Sequence, residues 1–227
     1  MDKRIESVWI GKDNELLDTM FEFYIPEAHS IVDVACNNRR MWKKSQWANK
    51  VLYCDIKDYE TNPDILCNWS NMPFKNKSID VLVYDPPHLP IVAASKMSMP
   101  HYIKNYGLKS SSKEDNIRTL HYPFLVEAKR VLKFDGLIFA KIKDYIHNHR
   151  YQWNLSIFNE EVKKADMVPC DLIIKRDPCG GNLKSGRWKK AHHAKNVHCY
   201  WVIIRNSKRC EPNKSLQDKI KQGCLNV

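Results

Sequence analysis

Ile79-Asp80-Val81-Leu82-Val83-Tyr84-Asp85-Pro86-Pro87-His88 joins an apolar run rich in β-branched residues to an acid, two prolines and an aromatic ring. The run reads as a strand buried on both faces, the mark of a parallel sheet. It has to stop at Asp85, because neither proline can donate to a sheet ladder and each locks its own φ. A carboxylate, a proline carbonyl and an imidazole are thereby held on a stiff turn at the carboxyl end of a central strand. Open α/β sheets place their active sites there.

The chemistry suited to this turn is activation of a weakly nucleophilic amine. An exocyclic amino group on a nucleobase is a poor nucleophile, since its lone pair is delocalised into the ring. Two acceptors aimed at its N–H bonds, Asp85 and the carbonyl of Pro86, would draw it toward a tetrahedral shape. His88 offers a planar ring on which a base can stack, and Pro87 stiffens the turn between them. Rigidity matters because positioning and preorganised polar groups supply much of such catalysis. The competing reading is a proline-stopped strand with Asp85 as a solvated turn residue.

Working outward, residues 14–24 carry Leu16, Leu17, Met20, Phe21 and Tyr24 at helical spacing, which predicts an amphipathic helix. Residues 31–35, 51–54 and 65–67 are short apolar strands that precede the central one. Residues 116–132 repeat apolar side chains with helical period, and residues 136–142 form a fifth strand after a tight Phe-Asp-Gly turn. A further helix is expected over 154–165, then strands over 167–174 and 197–204. Strands alternating with helices give a mostly parallel α/β sheet, and the last two strands, with no helix between them, should pair antiparallel. Residues 1–205 read as one domain and 206–227 as a polar tail.

Composition narrows the partner. Lys plus Arg number 37 against 26 for Asp plus Glu, a formal net charge of +11. That excess favours a polyanion, with nucleic acid ahead of an anionic membrane surface. The apolar run 197–204 is far too short to span a bilayer, and the first residues carry no apolar signal core. The reading is a soluble, cytoplasmic protein with no obligate protein partner. The 8 cysteines are scattered without a C-x-x-C pair, against a disulfide framework or zinc knuckle. His147, His149, His192, His193 and His198 are read as phosphate- or solvent-facing, so no metal is expected.

Two long polar segments stand out. Residues 89–115 follow the Asp85 turn directly, a place for a lid or binding segment. Residues 175–195 hold Lys175, Arg176, Lys184, Arg187, Lys189, Lys190 and Lys195 against Asp177 alone. With Trp188, His192 and His193 as stacking surfaces, Arg176, Lys184, Arg187, Trp188, Lys189 and Lys190 are candidate contacts to an unpaired or flipped nucleic acid strand.

The seven-strand pattern, from about Trp9 to Ile204, resembles the class I S-adenosylmethionine-dependent methyltransferases, a Rossmann-like fold. Within them, the Asp85-Pro86-Pro87-His88 turn is similar to the Asp/Asn/Ser-Pro-Pro-aromatic signature of methyltransferases acting on N6 of adenine or N4 of cytosine. The run 78–89, the Tyr106-Gly107 pair and the run 127–133 look like small phage-associated members. The resemblance implies S-adenosyl-L-methionine as cofactor. It places Asp33, Ala35 and Asn37 at the turn beside the cofactor's methionine portion, where the family has glycines and this chain has Asn37 and Asn38. Asparagine is the next-best residue at positive φ. Asp55 and Ile56 then fall at the ribose, and Asn68 and Trp69 at the adenine. The implied activity is methylation of a nucleobase amino group, N6 of adenine in DNA first, with little or short sequence preference. The alternatives are an RNA base methyltransferase and a catalytically silent nucleic-acid-binding module.

Overall fold

The computed structural model describes residues 4–58, 62–88, 116–147, 150–176, 194 and 196–207. Its centre is an eight-stranded sheet. In chain order the strands are β1 (Val8–Ile10), β2 (Ile31–Asp33), β3 (Val51–Asp55), β4 (Ile65–Leu66), β5 (Ile79–Tyr84), β6 (Leu132–Ile142), β9 (Val168–Arg176) and β10 (His198–Arg205). Two further strands, β7 (Tyr145–His147) and β8 (Arg150–Gln152), form a separate small hairpin. The helices are α1 (Asp13–Tyr24), α2 (Asn116–Val131) and α3 (Asn154–Lys164).

Across the main sheet the order is β1-β9-β10-β6-β5-β2-β3-β4. β10 runs antiparallel to both of its neighbours, β6 and β9, while the remaining pairs are parallel. The Rossmann-like architecture and the terminal antiparallel pair agree with the sequence pattern. The count is eight strands rather than seven. The extra strand is β1, which adds to the outer edge of β9 through Val8↔Ile174, Trp9↔Lys175 and Ile10↔Arg176.

Alternation along the strands divides the core into two layers, as a two-period side-chain repeat requires. Leu82 and Tyr84 of β5, Ile138 and Ala140 of β6, and Val202 and Ile204 of β10 pack with Phe124, Leu125 and Ala128 of α2 and Phe158 and Val162 of α3. On the opposite face Val81, Val83, Leu137, Phe139, Trp201 and Ile203 meet Leu16, Leu17, Met20 and Phe21 of α1. Those four α1 side chains are fully buried, as the spacing over residues 14–24 predicts.

The junction of α2 and β6 differs in detail from the expected turn. β6 pairs with β5 at Ile79↔Leu132, loses register, and resumes at Val81↔Leu137. The Phe-Asp-Gly turn thus lies inside the strand as a bulge, with Asp135 at φ 63. A Cβ on Gly136 would come 3.1 Å from the carbonyl oxygens of Asp80 and Lys133, so no other residue fits without a backbone shift. Asn206, assigned to the tail by sequence, closes this bulge. Its side chain donates to the carbonyls of Lys129, Leu132 and Lys133, and its backbone N–H donates to Gly136.

Candidate active site

β5 ends where the sequence demands, at Tyr84, and the chain then turns through Asp85, Pro86, Pro87 and His88. Behind the turn, Tyr84 is fully buried and stacks on Phe124 at 3.8 Å between ring centroids. A hydrogen bond of 3.2 Å joins Tyr84 Oη to His121 Nδ1, and another of 3.2 Å joins His121 Nε2 to Asn154 Oδ1. Burial pushes the His121 pKa down to about 4, so this imidazole is neutral and acts as a brace. The last residue of β5 is therefore tied to both α2 and α3, which fixes the origin of the turn.

Asp85 itself is held from two sides. His88 Nε2 lies 3.0 Å from Oδ1, and Lys141 Nζ lies 3.4 Å from Oδ2. Burial alone would raise the Asp85 pKa. The Lys141 ammonium and the His88 hydrogen bond outweigh it and bring the carboxyl down to about 2. Lys141 continues to Asp13 Oδ2 at 3.1 Å, and Asp13 Oδ1 faces Lys175 Nζ at 3.4 Å. Four elements thus meet in one chain of alternating charge: the turn after β5, the carboxyl end of β6, the first turn of α1 and the end of β9. The sequence reading missed Lys141, Lys175 and Asp13 in these roles. The available signal was Lys141 itself, the single cation in the buried run 136–142.

A cavity of about 960 Å³ opens over this network, at the upper end of the range for small-molecule sites, ~300–1,000 Å³. Ala35, Asn37, Asp55, Ile56, Trp69, Asp85, Pro86, Pro87 and His88 all line it. Nine residues expected at the site from sequence are therefore brought together. Trp69 stands edge-on to Tyr84, with ring centroids 5.7 Å apart, which ties the Trp69 wall of the cavity to the end of β5.

The turn after β2 meets the expectation for its two asparagines only at the first. Asn37 sits at φ 44, and the next left-handed residue is Arg39 at φ 52, not Asn38. Asp55 organises the turn from β3. Its Oδ2 accepts from the Asn37 N–H at 2.9 Å and its Oδ1 from the Lys57 N–H at 3.3 Å. Burial raises the Asp55 pKa, and these N–H groups oppose it.

Two expected residues stand apart from the cavity. Asp33 is fully buried beneath the turn, its Oδ2 accepting from the Trp42 indole N–H at 2.6 Å and its Oδ1 from the Ala35 N–H at 3.1 Å. It shapes the lining without being part of it. Asn68 is exposed, and its Oδ1 accepts from the Ser70 N–H and hydroxyl at 3.0 and 2.9 Å. That local Asx turn takes the acceptor expected for an adenine amine. Arg176 is exposed at the carboxyl end of β9, beside Lys175. Lys184, Arg187, Trp188, Lys189 and Lys190 lie outside the described residues, as do Tyr106-Gly107 and the segment 89–115.

No protein-family model and no curated protein sequence matches the chain. Solved structures do. A SAM-dependent methyltransferase from Methanosarcina mazei aligns with a TM-score of 0.50 and 11% identity, covering 82% of this chain and 96% of that one. Geranyl diphosphate methyltransferase in complex with SAM aligns with a TM-score of 0.51 and 9% identity, covering 85% of each chain. The [4+2]-cyclase SpnF aligns with a TM-score of 0.50 and 10% identity, covering 85% and 80%. A fold shared by methyl transfer and cyclisation leaves the activity to be argued from the site's own groups. What the chain shares with these proteins is the Rossmann-like fold of the SAM-dependent methyltransferases.

Proposed function

We propose that the protein is an S-adenosylmethionine-dependent methyltransferase acting on an exocyclic amino group of a nucleobase, N6 of adenine in DNA before other targets. The observation that carries this reading is Asp85, a carboxylate kept ionised by Lys141 and His88 at the edge of a cavity large enough for two small ligands.

The residues present suit the cofactor. Asp55 has a carboxylate on the cavity that keeps acceptor capacity for a ribose hydroxyl beside its backbone donors Asn37 and Lys57. The turn of Ala35 and Asn37 offers backbone at close approach, and Trp69 offers an aromatic face for a purine. Bound there, S-adenosylmethionine supplies a methyl group made electrophilic by its sulfonium.

The chain's own part is to present and activate the amine. Asp85 and the Pro86 carbonyl accept the two N–H bonds, which localises the nitrogen lone pair. Asp85 is too weak a base at pH 7 to deprotonate the amine beforehand. It acts as an acceptor and stabilises positive charge as that charge develops on nitrogen. The proton leaves last, once the alkylated nitrogen has become acidic. His88 and Pro87 border the base, which has to be flipped out or unpaired to reach them.

The test is transfer of labelled methyl groups to DNA and to RNA, assayed side by side, with digestion to identify the modified nucleoside. N6-methyladenine in DNA is the expected product. Labelled RNA alone would move the substrate to RNA on the same chemistry, and no transfer to either would overturn the reading.

A further inference from the structure

The segment that follows the Ala35–Asn38 turn alternates anchors with free cations. Met41 and Trp42 are buried, and the Trp42 indole is fastened to Asp33. Before and after this pair Arg40, Lys43 and Lys44 are exposed. Arg39 and Lys44, on either side of the 3₁₀ turn Arg40–Trp42, take φ 52 and φ 74. Non-glycine residues in this region carry strain of order ~1 kcal/mol or more, and such strain gathers at functional sites. Turn hydrogen bonds from Arg39 N–H to Cys36, Trp42 N–H to Arg39 and Ser45 N–H to Trp42 sustain it.

The placement of these cations is specific. Arg40, Lys43 and Lys44 line the same cavity as Asp85 and His88. Arg40 and Lys43, together with Asn38, also line an adjoining groove of about 570 Å³ that continues past Arg39 and Asn49 to Tyr53. One cation-bearing path therefore leads from the mouth of the candidate active site along the protein surface. The acids that could neutralise it are engaged elsewhere. Asp18 accepts from Ser45 and Gln46, Glu22 accepts from Gln46, and Asp64 takes Arg39 and the Tyr53 N–H. Among the described residues, the side chains of Arg40, Lys43 and Lys44 have no ion-pair partner.

We propose that Arg40, Lys43 and Lys44 form a phosphate-binding track that seats the nucleic acid strand next to the nucleotide entering the Asp85 pocket. The proposal rests on the reading of that pocket as a nucleobase site and adds the place where the backbone lies. Three uncompensated cations spaced along a path match a repeating anion. The single carboxylate of an amino-acid moiety would need one of them.

The experiment compares the wild type with a variant carrying Arg40→Ala, Lys43→Ala and Lys44→Ala. The probes are a labelled DNA duplex, a labelled DNA single strand and a labelled RNA single strand, titrated over a range of salt concentrations. A phosphate-binding cation contributes about −0.9 to the slope of log affinity against log salt on duplex DNA. The triple variant should flatten the slope by roughly 2 to 3 units and weaken unrelated sequences alike, since phosphate contacts carry no sequence information. The thermal midpoint should be unchanged, as all three side chains are exposed, and calorimetric binding of S-adenosylmethionine should persist, since its proposed contacts are Ala35, Asn37, Asp55 and Trp69. A charge-preserving variant, Arg40→Lys with Lys43→Arg and Lys44→Arg, should keep the wild-type slope. A wild-type slope in the triple alanine variant would overturn the track while leaving the proposed function standing. Loss of S-adenosylmethionine binding in that variant would assign the cations to the cofactor instead. A wild type that binds neither DNA nor RNA would overturn the proposed function and the track together.

Discussion

Asp33 and Asp85 belong to neighbouring strands of one sheet, and their carboxyls have been driven in opposite directions. Asp33 ends β2 with no cation beside it. Burial, assisted by the charges of Asp85 and Asp55, lifts its pKa to about 7 despite the hydrogen bonds from Trp42 and Ala35. Asp85 follows β5, where burial works the same way but Lys141 and His88 reverse the outcome and hold it near 2. The same side chain at the same end of the sheet thus becomes a strut in one place and a permanent anion in the other. The neighbour decides, and here the deciding neighbour of Asp85 comes from β6.

The strongest attack on this contrast removes the anion. Asp85→Ala should lower methyl transfer by about 100- to 1,000-fold, the range for losing one preorganised polar group at a reacting centre. Cofactor affinity should stay near normal, because Asp85 is assigned to the amine. Single-turnover transfer beside calorimetry separates the two effects, and near-normal turnover would end the catalytic assignment.

Lys141→Met tests the counter-ion. With the ammonium gone, burial dominates and the Asp85 pKa rises. The wild type, ionised at Asp85 well below neutrality, should show no loss of rate from this group between pH 5 and 8, a range that rests on its pKa near 2. The variant should lose rate as pH falls within that range, by up to about tenfold per unit for one proton. It should also lose up to about 3 kcal/mol of stability, since Asp85 keeps His88 and Asp13 keeps Lys175 but both lose the ammonium they share. A flat pH–rate profile in a folded variant would show that Asp85 does not depend on Lys141.

Asp33→Asn acts on stability rather than on the reaction. A folded-state pKa of about 7 against an ordinary 3.8 means that, between those values, the native protein keeps a proton that the unfolded chain has released. Stability from this group is therefore fully present below about pH 4 and declines as pH rises through 7, by at most about 1.4 kcal/mol per pH unit. Asp85 has the opposite sign: its contribution is present above about pH 4 and fades as pH falls toward 2. Denaturant unfolding of the wild type and of Asp33→Asn from pH 4 to 8 should differ in slope, and the variant should lack the decline. Parallel curves would remove the proton from Asp33.

Sequence periodicity and punctuation made much of the fold legible. Two prolines fixed the end of β5, helical spacing marked the buried face of α1, and the lack of a helix before the last strand gave its reversed direction. β1 was invisible because three residues, partly exposed, carry no alternation to read. Ala35, Asn37, Asp55 and Trp69, which the family resemblance assigns to positions shortly after a strand, line the cavity. Lys141 could not be paired with Asp13, 128 residues away, since nothing local encodes a contact made only by folding. Asn68 escaped for the converse reason, a purely local partner in Ser70 that competes with any ligand.

The position of β10 has a consequence for synthesis from the ribosome. β9 has only β1 and β10 as neighbours in the sheet, and β10 is the later strand in the chain. When β9 emerges it has nowhere to dock except the short β1 edge, and β6 still presents an open flank. Residues 198–205 must arrive before either flank is covered. A nascent chain halted earlier would expose two unpaired strand edges, which favour association between chains. Completion of the sheet is thus a late, all-at-once event. The same strand, through Asn206 immediately after it, then locks the bulge at Gly136.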